Sequence, residues 1–313
     1  TYTLAHPKVP STNYVILVLR GNRGSGKSTM SNVTLSSLVG PSTTGVQAFP
    51  ASQHDLAIAA QNVQVLFYDN LRKLLPSQSD WLCRGATGAT ISKRQLFTDG
   101  QEYTNYIHCA LVLNGIHPFV DQEDLAQRCL TLNLLPLESS DRTTETQLRE
   151  RFQQDLPEIF RGVLDLIAGI LTHLPDVTAS YPERMLEFVL WLAAMEKALG
   201  KPEGELQKAY RDNLVGAMQD SLLDNPLADA VVQFAQARCQ QPWTDTPANL
   251  LAALCQFVDP QVVATTDWPR NEISLSLRLK QLKSQLSGAG VRVDVGKRAR
   301  ARQISVHYTG SSS

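Results

Sequence analysis

The stretch Tyr14-Val15-Ile16-Leu17-Val18-Leu19-Arg20-Gly21-Asn22-Arg23-Gly24-Ser25-Gly26-Lys27-Ser28-Thr29 decides how the rest of the chain is read. Its first six residues are an apolar run of strand length. Gly21 to Ser28 then fits G-x-x-x-x-G-K-[ST], and a helical pattern continues to about Val39, where Gly40-Pro41 stops it. Strand, glycine-rich loop and helix in that order form a phosphate-binding device. The glycines let backbone N–H groups wrap a phosphate, and the helix N-terminus adds a positive dipole end. Gly21, Gly24, Gly26, Lys27, Ser28 and Thr29 are therefore the candidate ATP cradle. Lys27 reaches the β- and γ-phosphates, and the Ser28 hydroxyl ligates Mg2+. The competing interpretation is a chance glycine-rich turn.

Working outward, short apolar strands alternate with helices from Asn13 to about residue 150. The strand candidates are Tyr14–Leu19, Val46–Phe49, Val63–Tyr68, Cys109–Asn114 and Cys129–Leu134. This alternation predicts an α/β core, a parallel sheet covered by helices, with ligands at the carboxyl ends of its strands. Residues 151–240 read as a helical lid domain, with segments Pro157–Leu174, Pro182–Leu199, Pro202–Met218 and Pro226–Gln240 following Thr143–Gln154. Residues 241–309 change character again. Pro247–Val258 and Glu272–Ser287 are helical, Gly288-Ala289-Gly290 ends the second, and two alternating strands flank a basic turn at 296–302. Two helices followed by a basic hairpin outline a winged helix-turn-helix. Residues 1–12 read as an extended lead-in and 310–313 as a linker-like tail.

Bulk properties narrow the class. The chain has 313 residues, 43% hydrophobic and 19% charged, an ordinary globular mix with room for more than one core. No apolar run reaches membrane-spanning length, and no secretory signal pattern is present. Five cysteines without zinc-like spacing fit buried thiols in a reducing cytoplasm. The chain begins at Thr1 rather than Met, as a piece of a longer protein would.

Three further elements bear on the nucleotide. The strand Val63–Tyr68 ends in Asp69, a suitable magnesium-holding carboxylate, where the alternative is an ordinary turn Asp. Asn70 follows where such ATPases place a catalytic Glu; an amide orients water but takes no proton, so the base is unassigned, with Asp99 and Glu102 candidates by chain position. Asn114 ends a buried strand and can contact the γ-phosphate and attacking water, unless Asn114-Gly115 merely turns. Arg128 closes Asp124-Leu125-Ala126-Gln127-Arg128, placed to reach the ATP of a neighbouring subunit as a transition-state finger; a surface helix-capping Arg is the alternative. A predicted hairpin, Ile91–Phe97 with Glu102–Ile107, carries Lys93 and Arg94. These could touch DNA phosphates in a ring channel, serve a neighbour's ATP site, or be solvated without function.

Taken together, Gly21–Ser28, Asp69-Asn70, Leu82–Gly88, Leu96–Asp99, Leu113–Ile116 and Asp124–Arg128 resemble AAA+ ATPases encoded by prophages and other mobile elements. These are helicase-like proteins related to minichromosome-maintenance and superfamily III helicases. The resemblance runs on through Pro182-Glu183-Arg184-Met185 and Trp268-Pro269. It implies an ATP-driven homo-oligomeric ring, hexameric, acting on DNA in mobile-element replication. It also implies sensor-1 Asn114, arginine-finger Arg128 and a sensor-2 role for Arg184.

The average charge of −1 hides an asymmetry. From Arg270 to Arg302 there are nine Lys or Arg against two acids. Arg278, Lys280 and Lys283 lie on the predicted recognition helix, and Lys297, Arg298 and Arg300 at the wing. Such a patch attracts the phosphate backbone, holding and orienting DNA without specifying sequence. The alternative is a solvated basic face. Three functions fit: a DNA helicase or translocase, an ATP-switched origin-binding initiator or helicase loader, and a scaffolding ATPase of a transposition or defence system.

Overall fold

The computed structural model describes residues 1–6, 12–40, 45–94, 102–138, 143–223, 225–238, 241–265, 268–298 and 301–310. The chain divides into two compact units, Thr1–Val215 and Gly216–Ser313.

The first unit is built on a five-stranded parallel sheet of β1 (Ile16–Arg20), β2 (Val46–Gln47), β3 (Val65–Leu71), β6 (Ala110–Gly115) and β7 (Cys129–Asn133). The order is β2-β3-β6-β1-β7, so β1 lies inside the sheet between β6 and β7. Period-two alternation sends successive side chains to opposite faces. Ile16, Val18, Leu66, Tyr68, Leu111 and Leu113 share a core with Leu56, Ala57 and Ala60 of α4 (Gln53–Asn62) and Leu82, Cys83 and Ala86 of α5 (Pro76–Thr87). Leu19, Val65, Phe67, Ala110 and Val112 pack on the other face with Met30, Leu35 and Val39. Both faces are thus covered by helices, which is why these strands are apolar throughout.

The helical path after the loop is α2 (Lys27–Thr29), a π-helical turn over Met30–Leu35, and α3 (Ser36–Val39). Between β3 and β6 a separate antiparallel pair, β4 (Ala89–Arg94) and β5 (Glu102–Ile107), forms the expected hairpin. Its tip, with Asp99, lies outside the described residues. Tyr2–Ala5 is one helical turn, α1, rather than extended chain, because Tyr2 packs against Phe188 and Trp191.

Beyond α6 (Glu123–Ala126) and β7, the unit is helical. Two helices were expected over Thr143–Leu174, split at Pro157; one helix, α7 (Glu145–His173), passes through it. Pro157 is exposed, so water can satisfy the carbonyl that loses its N–H partner. Thr144 and Gln147 close a capping box at the start. α8 (Leu186–Leu199) and α9 (Glu205–Leu223) follow, and the division between units falls inside α9. Asn213 on α9 treats the edge strand β7 as a sheet neighbour: its amide donates to Thr131 O at 2.6 Å and accepts from Thr131 N at 2.8 Å.

The second unit pairs α10 (Pro226–Ala237), α11 (Pro247–Leu254), α12 (Pro260–Val263), α13 (Glu272–Gln281) and α14 (Lys283–Gly288) with a three-stranded antiparallel sheet. The strands β8 (Trp243–Asp245), β9 (Val291–Arg298) and β10 (Ala301–Tyr308) take the order β8-β10-β9. The continuous helix expected over Glu272–Ser287 is broken at Leu282, whose φ −85° and ψ −2° start a new axis. The break keeps Leu275, Leu279, Leu282 and Leu286 in one core with Phe234, Trp268, Ile304 and Val306. The basic turn is tighter than the alternation implied, since β9 and β10 pair as far as Arg298 and Ala301. No helix among the described residues is long and apolar enough to cross a membrane.

Candidate functional site

The carboxyl edge of the parallel sheet gathers the loop 21–26, Lys27, Ser28, Asp69 and Asn114. Gly21–Gly26 leaves β1 there, with Gly24 at φ +81° and Gly26 at φ +79° as the left-handed N-cap of α2. These two angles are what glycine supplies without steric cost. Gly21 is required for a different reason. A Cβ there would stand 2.5 Å from Leu134 O and 2.7 Å from Ser25 Oγ. Lys27 Nζ donates to Gly21 O at 2.7 Å and Asn22 O at 2.9 Å, which fixes its charge within the loop.

Ser28, on the next residue, meets β3. Its Oγ donates to Asp69 Oδ2 at 2.6 Å, and Asp69 Oδ1 accepts from Asn70 N at 2.7 Å. A hydroxyl and a carboxylate side by side are the hard oxygen donors that Mg2+ takes, with water and phosphate oxygens completing such a site. The two residues therefore fit that ion. Thr29 continues α2.

Asn70 sits at φ +60°, the one non-glycine at positive φ among the described residues. The β3–β6 register shifts between Tyr68 and Leu71. The chain bulges there and re-aims Asp69. Asn tolerates this conformation far better than Glu does, which gives a backbone reason for the amide at this position.

Asn114 is inside β6, not in a turn, next to Leu19 at the end of β1. It is 1% exposed. Its Oδ1 accepts from Ser31 Oγ of the π-helical turn at 3.2 Å, and its Nδ2 finds no partner among the described residues. A buried amide N–H without a partner costs about 1–3 kcal/mol, so it is an anomaly that a ligand oxygen would relieve. Ser31 carries no motif signal, and its role is visible only in three dimensions.

The two arginines come together on one carboxylate, but at the amino end of β7, where Ile16 N donates to Arg128 O. This is the opposite end of the sheet from the glycine-rich loop, so Arg184 does not reach its own chain's loop as the sensor-2 expectation required. Arg128 does not project. Its side chain is 10% exposed, and its Nη1 closes on Asp124 Oδ2 at 2.8 Å and on the Asp124 carbonyl. Arg184 is 41% exposed; its Nη1 lies 2.7 Å from Asp124 Oδ1 and 3.1 Å from Gln127 Oε1. Burial pushes the Asp124 carboxyl up. Hydrogen bonds from Arg128 and Cys83, with the charges of Arg128 and Arg184, more than offset this and hold it below its ordinary value. The Cys83 thiol beside it is pushed up to about 12, mainly by burial. The Asp124–Arg128 spacing of four is a readable helix pair; the capture of Arg184 from a distant segment is not.

The expected DNA-contacting residues divide among several places. Lys93 and Arg94 lie on β4 opposite Tyr103 and Glu102, and Lys297 and Arg298 on β9 opposite Arg302 and Ala301. Arg300 lies outside the described residues. Arg278 is half-buried and Lys280 exposed on α13. Lys283 Nζ is 2.7 Å from Asp294 Oδ1 and Arg292 Nε 3.2 Å from Asp294 Oδ2, so two cations share one acid. The Lys283 hydrogen bond, helped by the charges of Lys283 and Arg292 and a hydrogen bond from Arg292, outweighs a small burial cost and holds Asp294 below its usual range.

Fold and site define a mixed α/β protein with a glycine-rich loop and an acidic residue at the edge of a parallel sheet, followed by a helical and antiparallel-sheet unit. The model for an actinomycete integrative conjugative element replication protein, RepA, matches residues 4–224, and that for the RepA C-terminal domain matches 227–313. The chain belongs to this family, replication proteins of a mobile genetic element. No curated protein matches. Two solved structures, "The A form apo structure of NrS-1 C terminal region-CTR" and its 305–718 counterpart, are each 14% identical to the chain. They are matched over 96% and 95% of it and over 68% and 66% of their own lengths, with TM-scores of 0.34 and 0.31.

Proposed function

We propose that the first unit is an AAA+ ATPase that hydrolyses ATP with Mg2+ as a homo-oligomeric ring and drives movement along DNA during replication of the element. The observation that carries this is the convergence of Lys27, the Ser28–Asp69 pair and the half-satisfied Asn114 on one sheet edge. The strand order, with the loop strand between β6 and β7, supports the same class.

In this reading, the loop N–H groups of 21–26 and Lys27 bind the phosphates. Ser28 and Asp69 hold Mg2+, which supplies charge neutralisation to the transferring phosphoryl group. The Asn114 amide donates to a phosphate oxygen or the attacking water. Asn70 orients rather than deprotonates. Arg184, half-exposed and held beside Gln127, presents positive charge; Arg128 holds Asp124, and through it Arg184, from inside the same chain. A neighbouring subunit contributes to turnover in this reading, so hydrolysis depends on assembly.

The second unit, with helices α10, α11 and α13 interleaved with β8, β9 and β10, supports a winged helix that binds duplex DNA. That arrangement also favours a second reading, an initiator whose ATP state sets assembly at a duplex site. Particle imaging with ATP and single-stranded DNA, beside Lys27→Ala, tests the ring. Rings that form only with nucleotide, together with strand displacement on a forked substrate, are expected. Site-specific footprinting with ATP and no displacement would move the assignment to the initiator.

A further inference from the structure

The exposed face of α13 has a composition that the basic charge count does not explain. Leu275, Leu279 and the following Leu282 turn inward. On the opposite side, Ile273 is 68% exposed and Leu277 59% exposed, one helical turn apart. Lys280 follows on the same stripe, three residues after Leu277, and is exposed. Arg270 precedes the Asn271 N-cap, and Lys283 and Arg292 flank the far end, bound to Asp294. Two large apolar side chains therefore share this stripe with Lys280, with Arg270 before the helix and Lys283 after it.

A protein partner fits this surface poorly, because interface cores are depleted in lysine. Duplex DNA fits both parts. The cations match phosphates, and the one apolar group presented on base edges in the major groove is the thymine methyl. We propose that Ile273 and Leu277 read thymine methyl groups in the major groove, while Lys280, Lys283 and Arg292 hold the flanking phosphates. This rests on the duplex-binding role assigned to the second unit and adds base selectivity to it. Asp294, shared by Lys283 and Arg292, offsets part of the charge that these two cations offer to phosphate.

The test replaces thymine by uracil, which removes the methyl and leaves the pairing edges intact. The full chain is used to select binders from a pool of randomised duplexes, and the selected duplexes are remade with deoxyuridine. Each contacted methyl is worth about fourfold in affinity, the equivalent of one buried CH2 group. Ile273→Ala with Leu277→Ala is expected to bind thymine and uracil forms equally. Lys280→Ala is expected to weaken both forms alike. Both apolar residues are exposed, so the double variant folds; its melting curve checks this. Binding that ignores the methyls, or a double variant that keeps the discrimination, overturns the proposal and leaves duplex binding standing. Failure of the chain to bind any duplex removes the duplex-binding role as well. A double variant that changes oligomeric state while binding duplex normally makes this face a contact between copies and also overturns it.

Discussion

The sheet edge of the first unit and the basic face of the second use charge in opposite ways. At the sheet edge, few groups are present and most are engaged: Lys27 on loop carbonyls, Ser28 on Asp69, Asn114 on Ser31. At α13 and β9 the sequence supplies more cations, and Lys283 and Arg292 share one acid, Asp294. Function in the first region depends on geometry, so single substitutions have large effects. Function in the second depends on a summed field, so single substitutions have small ones.

The contrast is broken most forcefully at the loop. Asp69→Ala is expected to lower ATP turnover by about a hundredfold or more, the cost of losing one preorganised group at developing charge. Steady-state hydrolysis with an unchanged melting curve is the check; a loss below about tenfold would equalise the two regions.

The arginine pair comes next. Arg128→Ala is expected to destabilise the fold by about 2 kcal/mol, because it strips charge-assisted hydrogen bonds from a largely buried site. Arg184→Ala leaves stability within about 0.5 kcal/mol, as exposed pairs do, and lowers turnover instead. Chemical denaturation beside kinetics separates the two. If Arg128→Ala melts normally and only turnover falls, Arg128 acts on a neighbour's nucleotide.

Acid tests the same cluster. The Asp124 carboxyl is held below its ordinary value in the folded chain, so its contribution is present above the unfolded value of 3.8 and disappears as pH falls through the lower folded value. Asp124→Asn is expected to flatten the stability loss below about pH 4. Acid titration of both proteins measures it. Asn70 gives a smaller effect: Asn70→Ala costs about 1 kcal/mol for its left-handed backbone, and Asn70→Gly is nearly neutral.

The smallest change is in the second unit. Asp294→Asn releases Lys283 and Arg292 and is expected to tighten duplex binding by about two- to fivefold at low salt, within the range of an exposed pair. The gain shrinks as salt rises. A weakening would mean that Asp294 positions these cations more than it neutralises them.

The fold was legible where one segment carries its own signal. Gly21–Ser28 states its loop, and the buried runs at Ile16–Leu19 and Ala110–Leu113 state strands covered on both faces. The exceptions arise where another part of the fold decides. Pro157 looked like a helix start, but an exposed proline can ride within a capped helix. The break at Leu282 follows from keeping four leucines in one core. In the site, Lys27, Ser28 and Asp69 were readable from spacing. Ser31 beneath Asn114, the bulge at Asn70 and the capture of Arg184 by Asp124 were not, since each joins residues from separate segments.

ATP hydrolysis by the full chain, followed across protein concentration with and without single-stranded DNA and beside Lys27→Ala, addresses the central claim most directly. Turnover per chain should rise with concentration, rise again with DNA, and vanish in Lys27→Ala. A rate per chain that is constant with dilution and indifferent to DNA, or one that survives Lys27→Ala, would contradict it.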